Sequence, residues 1–285
     1  MPTPSTLDAT FPFYKMHGLG NDFIVFDNRD GSIPTDAAFL TQLADRHFGI
    51  GCDQILMVTK PPVASADFGY AIFNGDGSAV GQCGNGARCL AHFIHHLGIS
   101  DKPTLKLSTS TTSMSVTRIN NAYYSVTMPS PDFDPQHIPF TPAEGESEPP
   151  YTLDNYPAAC YIANVGNPHA IFALNDVGYL PDLSLAMPLS SHHQFSEGAN
   201  VSFMTIHQPD HISLVVFERG AGTTLACGSA ACAAMAVGRR YLSLESEVMV
   251  TLPGGDLKVQ WEDDQTDLTL SGPSTLVYQG TWAPS

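Results

Sequence analysis

Basic residues are scarce. Lys and Arg together number 12 against 28 Asp and Glu, leaving a formal net charge of -16 on 285 residues. So acidic a chain offers no basic face to DNA or RNA, and none to an anionic membrane. A small zwitterionic ligand is not excluded, because its capture depends on local groups. No apolar run is long enough to span a bilayer. Met1-Pro2-Thr3-Pro4-Ser5-Thr6-Leu7-Asp8 lacks the basic-then-apolar order of a secretory signal. The six cysteines (Cys52, Cys83, Cys89, Cys160, Cys227, Cys232) are too few for a disulfide scaffold at this length. Free thiols in a reducing cytoplasm are expected.

Cofactor signatures are also missing. None of the five lysines stands in a recognisable pyridoxal-phosphate context. Gly18-Leu19-Gly20-Asn21 lacks the third glycine of a dinucleotide fingerprint and precedes its strand, and Gly222-Thr223-Thr224 has no following Lys for a phosphate loop. Cys83 and Cys89 are six apart and Cys227 and Cys232 five apart, without the close pairs of structural zinc. His92, His95 and His96 read as one half-buried helix face. No metal is expected, and no His stands beside either thiol in a protease pattern.

What is present is a chain of 43% hydrophobic residues, with 24 Gly and 22 Pro to punctuate many short elements. Phe23–Phe26, Gln54–Val58, Tyr70–Phe73 and His211–Glu218 read as strands. Thr35–Phe48 reads as a helix with Thr35 as its N-cap. Cys83-Gly84 opens a helix running to His96, with Gly98 as its stop, and Gly228-Ser229 opens an Ala-rich helix to about Tyr241. Pro129–Pro150 reads as an exposed connector.

These elements repeat. Gly20-Asn21 recurs as Gly166-Asn167, and Gln54 as Asn200, each 146 positions later. Asn74 precedes Cys83 by nine residues, and Glu218 precedes Cys227 by nine. An ordered set at near-constant offset implies a duplicated half, each half contributing one thiol. Cysteine is usually inert core, which suits Cys89, Cys160 and Cys232. It suits Cys83 and Cys227 poorly, because each sits at a helix start where orphan N–H groups favour a thiolate. A free thiol of pKa ~8.5 is roughly 3% ionised near neutrality. A helix terminus supplies about 0.3–2 kcal/mol, or roughly one pKa unit.

Lys15-Met16-His17-Gly18-Leu19-Gly20-Asn21-Asp22-Phe23, Asn74-Gly75-Asp76-Gly77-Ser78, Cys83-Gly84-Asn85-Gly86-Ala87-Arg88-Cys89, Gly166-Asn167-Pro168-His169, Glu218-Arg219-Gly220-Ala221-Gly222 and Leu225-Ala226-Cys227-Gly228 together resemble the diaminopimelate epimerases. The resemblance runs from about Phe13 to Trp282. It implies an α/β fold of the α+β type with two pseudo-symmetric domains, each a curved mixed sheet around a central helix, and an active site in the interdomain cleft. Residues 1–127 with 273–285 would form one half and 128–272 the other. It implies substrate contacts at Asn21, Gln54, Asn74, Gly84, Asn85, Asn167, Asn200, Glu218, Arg219, Gly228 and Ser229. Ser229 stands where Thr is usual and keeps the hydroxyl. His169 and Glu218 would orient or deprotonate the thiols. The partner is a small molecule, diaminopimelate, with no cofactor, and a homodimer is the expected assembly.

Inverting an α-carbon requires a proton to leave one face and another to arrive on the opposite face. Cys83 and Cys227 would be the two acid/base groups, one as thiolate and one as thiol, because two thiolates in one small site repel and titrate as a pair. The reaction implied interconverts LL- and meso-diaminopimelate, toward lysine and peptidoglycan precursors. A related histidine or proline racemase, or a thiol-redox module joining Cys83 to Cys227, are the alternatives.

Overall fold

The structure, a computed structural model, describes residues 10–174 and 183–283. The stretch read for a secretory signal, residues 1–8, lies outside the described residues. The chain divides into two compact units, one reaching Val126 and joined by the residues from Pro273 onward, the other Thr127–Gly272.

In the first unit, the run Phe23-Ile24-Val25-Phe26 is wholly buried, as an apolar strand covered on both faces must be. Its strand, Asn21–Asp27, lies antiparallel to Phe11–Gly18 and parallel to Gln54–Thr59. Beyond Gln54–Thr59 come Phe68–Asn74 (antiparallel), Thr104–Ser108 (parallel), Ser113–Arg118 and Tyr123–Met128 (both antiparallel). On the other side of Phe11–Gly18 lies the returning strand Thr275–Trp282, antiparallel. The helix Gly84–His96 packs on the first three strands in chain order, and all of its residues from Asn85 to Ile94 except His92 are buried. Gly86 has to be glycine: a Cβ there would collide with the Tyr70 hydroxyl, which donates to the Cys83 carbonyl at 3.2 Å.

The second unit repeats that succession. Tyr156–Asn164 pairs antiparallel with Pro168–Leu174, which pairs parallel with Asn200–Gln208. His211–Glu218 (antiparallel), Glu247–Leu252 (parallel), Gly255–Gln260 and Leu268–Pro273 (both antiparallel) follow. The register repeats as well: Phe23 faces Gln54, and His169 faces Asn200. The helix Gly228–Tyr241 buries all of Ala230 to Gly238. Its five alanines let the surrounding strands approach closely, and a helix buried on all sides needs no polar face.

Three readings of the sequence change. The helix expected over Thr35–Phe48 spans only Ala37–Ala44, because Asp36 rather than Thr35 is its N-cap, accepting from the Phe39 N–H at 3.1 Å. Asp45 ends it by turning its carboxylate onto the N–H groups of His47 and Phe48, both at 2.7 Å. Gly18–Asn21 does not merely precede a strand but joins two antiparallel ones, with Leu19 and Gly20 at positive φ. The connector Pro129–Pro150 is not simply exposed: Ile138 and Phe140 are buried in the second unit's core, Phe140 packing on Tyr151 and Phe195. No helix among the described residues is long and apolar enough to cross a membrane.

Candidate active site

The sequence-selected residues gather into two clusters, each around the start of one central helix. In the first unit Cys83 is the N-cap of the Gly84 helix, and its Sγ accepts from the Gly86 N–H at 3.3 Å. The sulfur thus occupies the place of a capping oxygen, facing donors that the first turn leaves unsatisfied. Asn21 Oδ1 lies 4.0 Å from that sulfur and accepts from Asn85 Nδ2 at 3.3 Å. Asn85 is buried, and Arg88 donates to its Oδ1 at 2.8 Å, which fixes the direction of its amide. Gln54 and Asn74 face each other across two strands and share a 3.0 Å hydrogen bond, and Asn74 donates to the Ser78 hydroxyl at 3.0 Å.

A brace underlies this cluster that the motifs did not reveal. Asn21 Nδ2 donates to Asp53 at 3.1 Å. Asp22 and Asp53 each accept the other's backbone N–H, at 2.9 and 3.1 Å. Arg46 grips Asp22 through two bonds of 2.9 and 2.7 Å and Asp53 through one of 2.8 Å, and Lys15 reaches Asp22 at 2.6 Å. Burial alone would raise the Asp22 carboxyl, but Arg46 and Lys15 outweigh it and hold it well below the ordinary carboxylate range. The brace ties the turn carrying Asn21 to the strand start carrying Gln54. The available signal was a carboxylate beside each site amide, Asn21-Asp22 and Asp53-Gln54.

In the second unit Cys227 is the N-cap residue of the Gly228 helix, with the Ser229 hydroxyl 3.4 Å from its sulfur. It is only 5% exposed. Burial pushes its thiol well above the ordinary range, and the negative charge of Glu218 pushes it further, against the Ser229 hydroxyl. The sequence reading expected the helix start to favour a thiolate here. The structure reverses that balance, since burial shifts a pKa by up to roughly 3–5 units and a helix terminus by about one. Glu218 ends its strand, and Thr224 donates to its Oε1 at 2.7 Å.

Asn200 Oδ1 accepts the Arg219 backbone N–H at 2.8 Å. The Arg219 guanidinium donates to the carbonyls of Glu197 and Gly198, the latter at 3.3 Å. Gly198 has φ +70°, and a Cβ there would stand 2.8 Å from the Ser190 carbonyl oxygen and 3.1 Å from Arg219 Cδ. Glycine therefore leaves the guanidinium arm room to lie along the loop. His169, fully buried, shares a 2.9 Å bond between Nε2 and Asn167 Oδ1, while its Nδ1 has no hydrogen-bond partner among the described residues. Burial first, and the charge of Arg219 second, bring its pKa down to about 3. The imidazole is neutral at working pH, with Nε2 protonated toward Asn167 and Nδ1 left as an acceptor.

That neutrality has a measurable cost. Between pH 6.5 and 3 the unfolded chain binds a proton at His169 that the folded chain does not, so this group's contribution to stability is full above the ordinary histidine pKa and falls as pH drops. Urea unfolding of the parent should weaken by about 2 kcal/mol more between pH 7 and pH 5 than that of His169→Gln, which keeps a donor toward Asn167 and does not titrate. Equal pH dependence in the two proteins would show that the ring is not held neutral.

Comparison with known proteins follows the same residues. The family model described as diaminopimelate epimerase matches residues 13–131 and 161–277, which include every motif above. A diaminopimelate epimerase of Xanthomonas oryzae pv. oryzae is 43% identical over 273 residues, 95% of each chain. Among solved structures, a Bacillus anthracis phenazine biosynthesis protein of the PhzF family superposes with a TM-score of 0.71 at 14% identity, over 96% of this chain and 99% of that one. A hydroxyproline epimerase of Agrobacterium vitis, with trans-4-hydroxy-L-proline bound, gives 0.69 at 13%, over 96% of this chain and 91% of that one. At such identities these two likenesses speak to the fold alone, a two-domain repeated architecture. The family match and the 43% identical relative carry the further conclusion that the chain belongs to the diaminopimelate epimerase family.

Proposed function

We propose that this protein interconverts LL- and meso-diaminopimelate without a cofactor, Cys83 and Cys227 each acting on one face of the α-carbon. The observation that carries this reading is the duplicated placement of one thiol at the start of each unit's central helix. In the resting enzyme Cys227, buried beside Glu218, is the protonated partner. Cys83, whose sulfur already accepts a backbone N–H, is the group that takes the substrate's proton in one direction, and the roles exchange in the other.

An α-proton is far less acidic than a thiol, so the carbanionic transition state needs charge stabilisation as it forms. The N–H groups at Gly84-Asn85 and Gly228-Ser229 supply this by binding the α-carboxylate, where negative charge builds. Glu218 receives the Cys227 proton when that thiol must become the base. His169, held neutral by burial, orients its neighbours and does not carry charge. Asn21, Gln54, Asn74, Asn167, Asn200 and Arg219 hold the rest of the amino acid. The planar guanidinium of Arg219 suits a distal carboxylate, which favours diaminopimelate over the proline or histidine of related racemases. The same reading has the enzyme working in the cytoplasm as a homodimer, where its six cysteines stay reduced.

Incubation with LL-diaminopimelate in heavy water tests this directly, with a chelator and a carbonyl-trapping reagent present. The meso isomer should appear carrying deuterium at the inverted carbon, while proline and histidine exchange nothing. Exchange into proline or histidine alone would overturn the substrate assignment. No exchange into any amino acid would favour a redox role for the thiols.

A further inference from the structure

We infer that Thr224 is a positioning residue of the second half-site, its hydroxyl fixing the Glu218 carboxylate so that this carboxylate faces Cys227. The inference rests on the two-thiol reading above and adds to it the group that aims the proton acceptor.

The geometry starts from a tight hairpin. Gly220 and Gly222, both at positive φ, turn the chain back so that Glu218 pairs with Gly222, Phe217 with Thr223 and Val216 with Thr224. The strand Gly222–Thr224 then ends, and three residues later the chain reaches Cys227 at the helix start. One short segment thus carries both the thiol and a hydroxyl aimed back at the carboxylate. The 2.7 Å bond from Thr224 Oγ1 to Glu218 Oε1 is a charge-assisted contact. A carboxylate at the end of a flexible side chain otherwise rotates freely. With one oxygen held by Thr224, the orientation of the group toward Cys227 is set, and the two side chains interact.

The first half-site offers an internal comparison. Asn74 stands nine residues before Cys83, as Glu218 stands nine before Cys227, and Asn74 is also held by a hydroxyl, that of Ser78 at 3.0 Å. A hydroxyl clamp therefore recurs in both halves, but only the second clamps a group able to accept a proton from sulfur.

Thr224→Val keeps the β-branched shape and removes the donor, and Thr224→Ser restores the donor. Thr224→Val should lower kcat about tenfold or more with KM little changed, the signature of a lost proton-transfer alignment. Its second readout needs no turnover. Carbamidomethylation of Cys227, followed by peptide mass spectrometry, rises roughly tenfold per pH unit while the thiol stays protonated. In Thr224→Val the carboxylate is released from its place beside the sulfur. Labelling at pH 8 should then be about threefold faster or more, and its rise from pH 8 to pH 10 shallower, a change of slope that altered access alone does not produce. Thr224→Ser should return both measurements toward the parent. Unchanged kcat in Thr224→Val, an unchanged labelling slope, or a Thr224→Ser as impaired as the valine variant would each overturn the inference. An active Cys227→Ala would instead sink the two-thiol reading, and the labelling slope would still report on Thr224 and Glu218.

Discussion

Cys83→Ala and Cys227→Ala should each abolish epimerisation, and should do so in complementary ways. In the proposed mechanism each removes the group serving one face of the α-carbon, so a proton taken from the other face cannot be replaced by one of opposite configuration. A variant that keeps one thiol should still exchange the α-hydrogen of the stereoisomer that presents it to that thiol, returning deuterium with retention. The other variant should show the opposite preference. Chiral analysis of each isomer after incubation in heavy water reads both results at once. Cys89→Ala and Cys232→Ala are the controls. Both sulfurs are fully buried within their helices, past the first turn and away from the unsatisfied N–H groups at the helix starts where Cys83 and Cys227 stand. Their loss should cost about 1 kcal/mol of stability and leave substantial turnover. A folded Cys83→Ala or Cys227→Ala that epimerises near the parent rate would refute the two-thiol mechanism.

The fold was legible in the sequence where pattern and physics coincide. The 146-residue offset that relates Asn21 to Asn167 and Gln54 to Asn200 reappears as equal registers in two parallel strand pairs. Apolar runs such as Phe23–Phe26 are buried on both faces because a parallel neighbour and a covering helix enclose them. The helix after Thr35 is shorter at both ends than its periodicity implies because two aspartates, Asp36 and Asp45, bond to backbone N–H groups, a side-chain choice that periodicity does not register. The connector hid Ile138 and Phe140, two apolar residues too isolated among prolines and acids to announce a core.

The candidate site divides similarly. Residues within contiguous motifs, such as Cys83 with Asn85 or Glu218 with Arg219, could be picked out from spacing and resemblance. The brace of Lys15, Asp22, Arg46 and Asp53 could not, since its members lie up to 38 positions apart in sequence and meet only in three dimensions. Nor could the burial of Cys227, which decides the sign of its shift: a helix start taken alone argues for a thiolate, and the surrounding protein argues more strongly against one.

Glu218→Gln separates the two effects that the proposed mechanism gives this carboxylate on Cys227. Glutamine has nearly the same shape, and its carbonyl oxygen can still accept from Thr224, so the hairpin and the clamp persist. What disappears is the negative charge. Without it the Cys227 thiol ionises more readily, because one of the two causes raising it is gone while burial remains. Judged by thiol acidity alone, the variant should be the better enzyme. The proposed mechanism requires the reverse, since an amide cannot take the proton that Cys227 must lose before it can act as a base. Turnover at pH 7 should therefore fall about a hundredfold or more, within the range that loss of a general base commonly costs. Carbamidomethylation of Cys227 at pH 8 should become faster than in the parent. The deficit should also shrink as pH rises toward 9.5, where solution hydroxide increasingly generates the thiolate without help from the protein. An unchanged melting temperature would assign the loss to chemistry and not to folding. Parent-like turnover at pH 7 would show that Glu218 is no proton acceptor. A deficit constant across the whole pH range would show that it acts on the substrate instead of on the thiol.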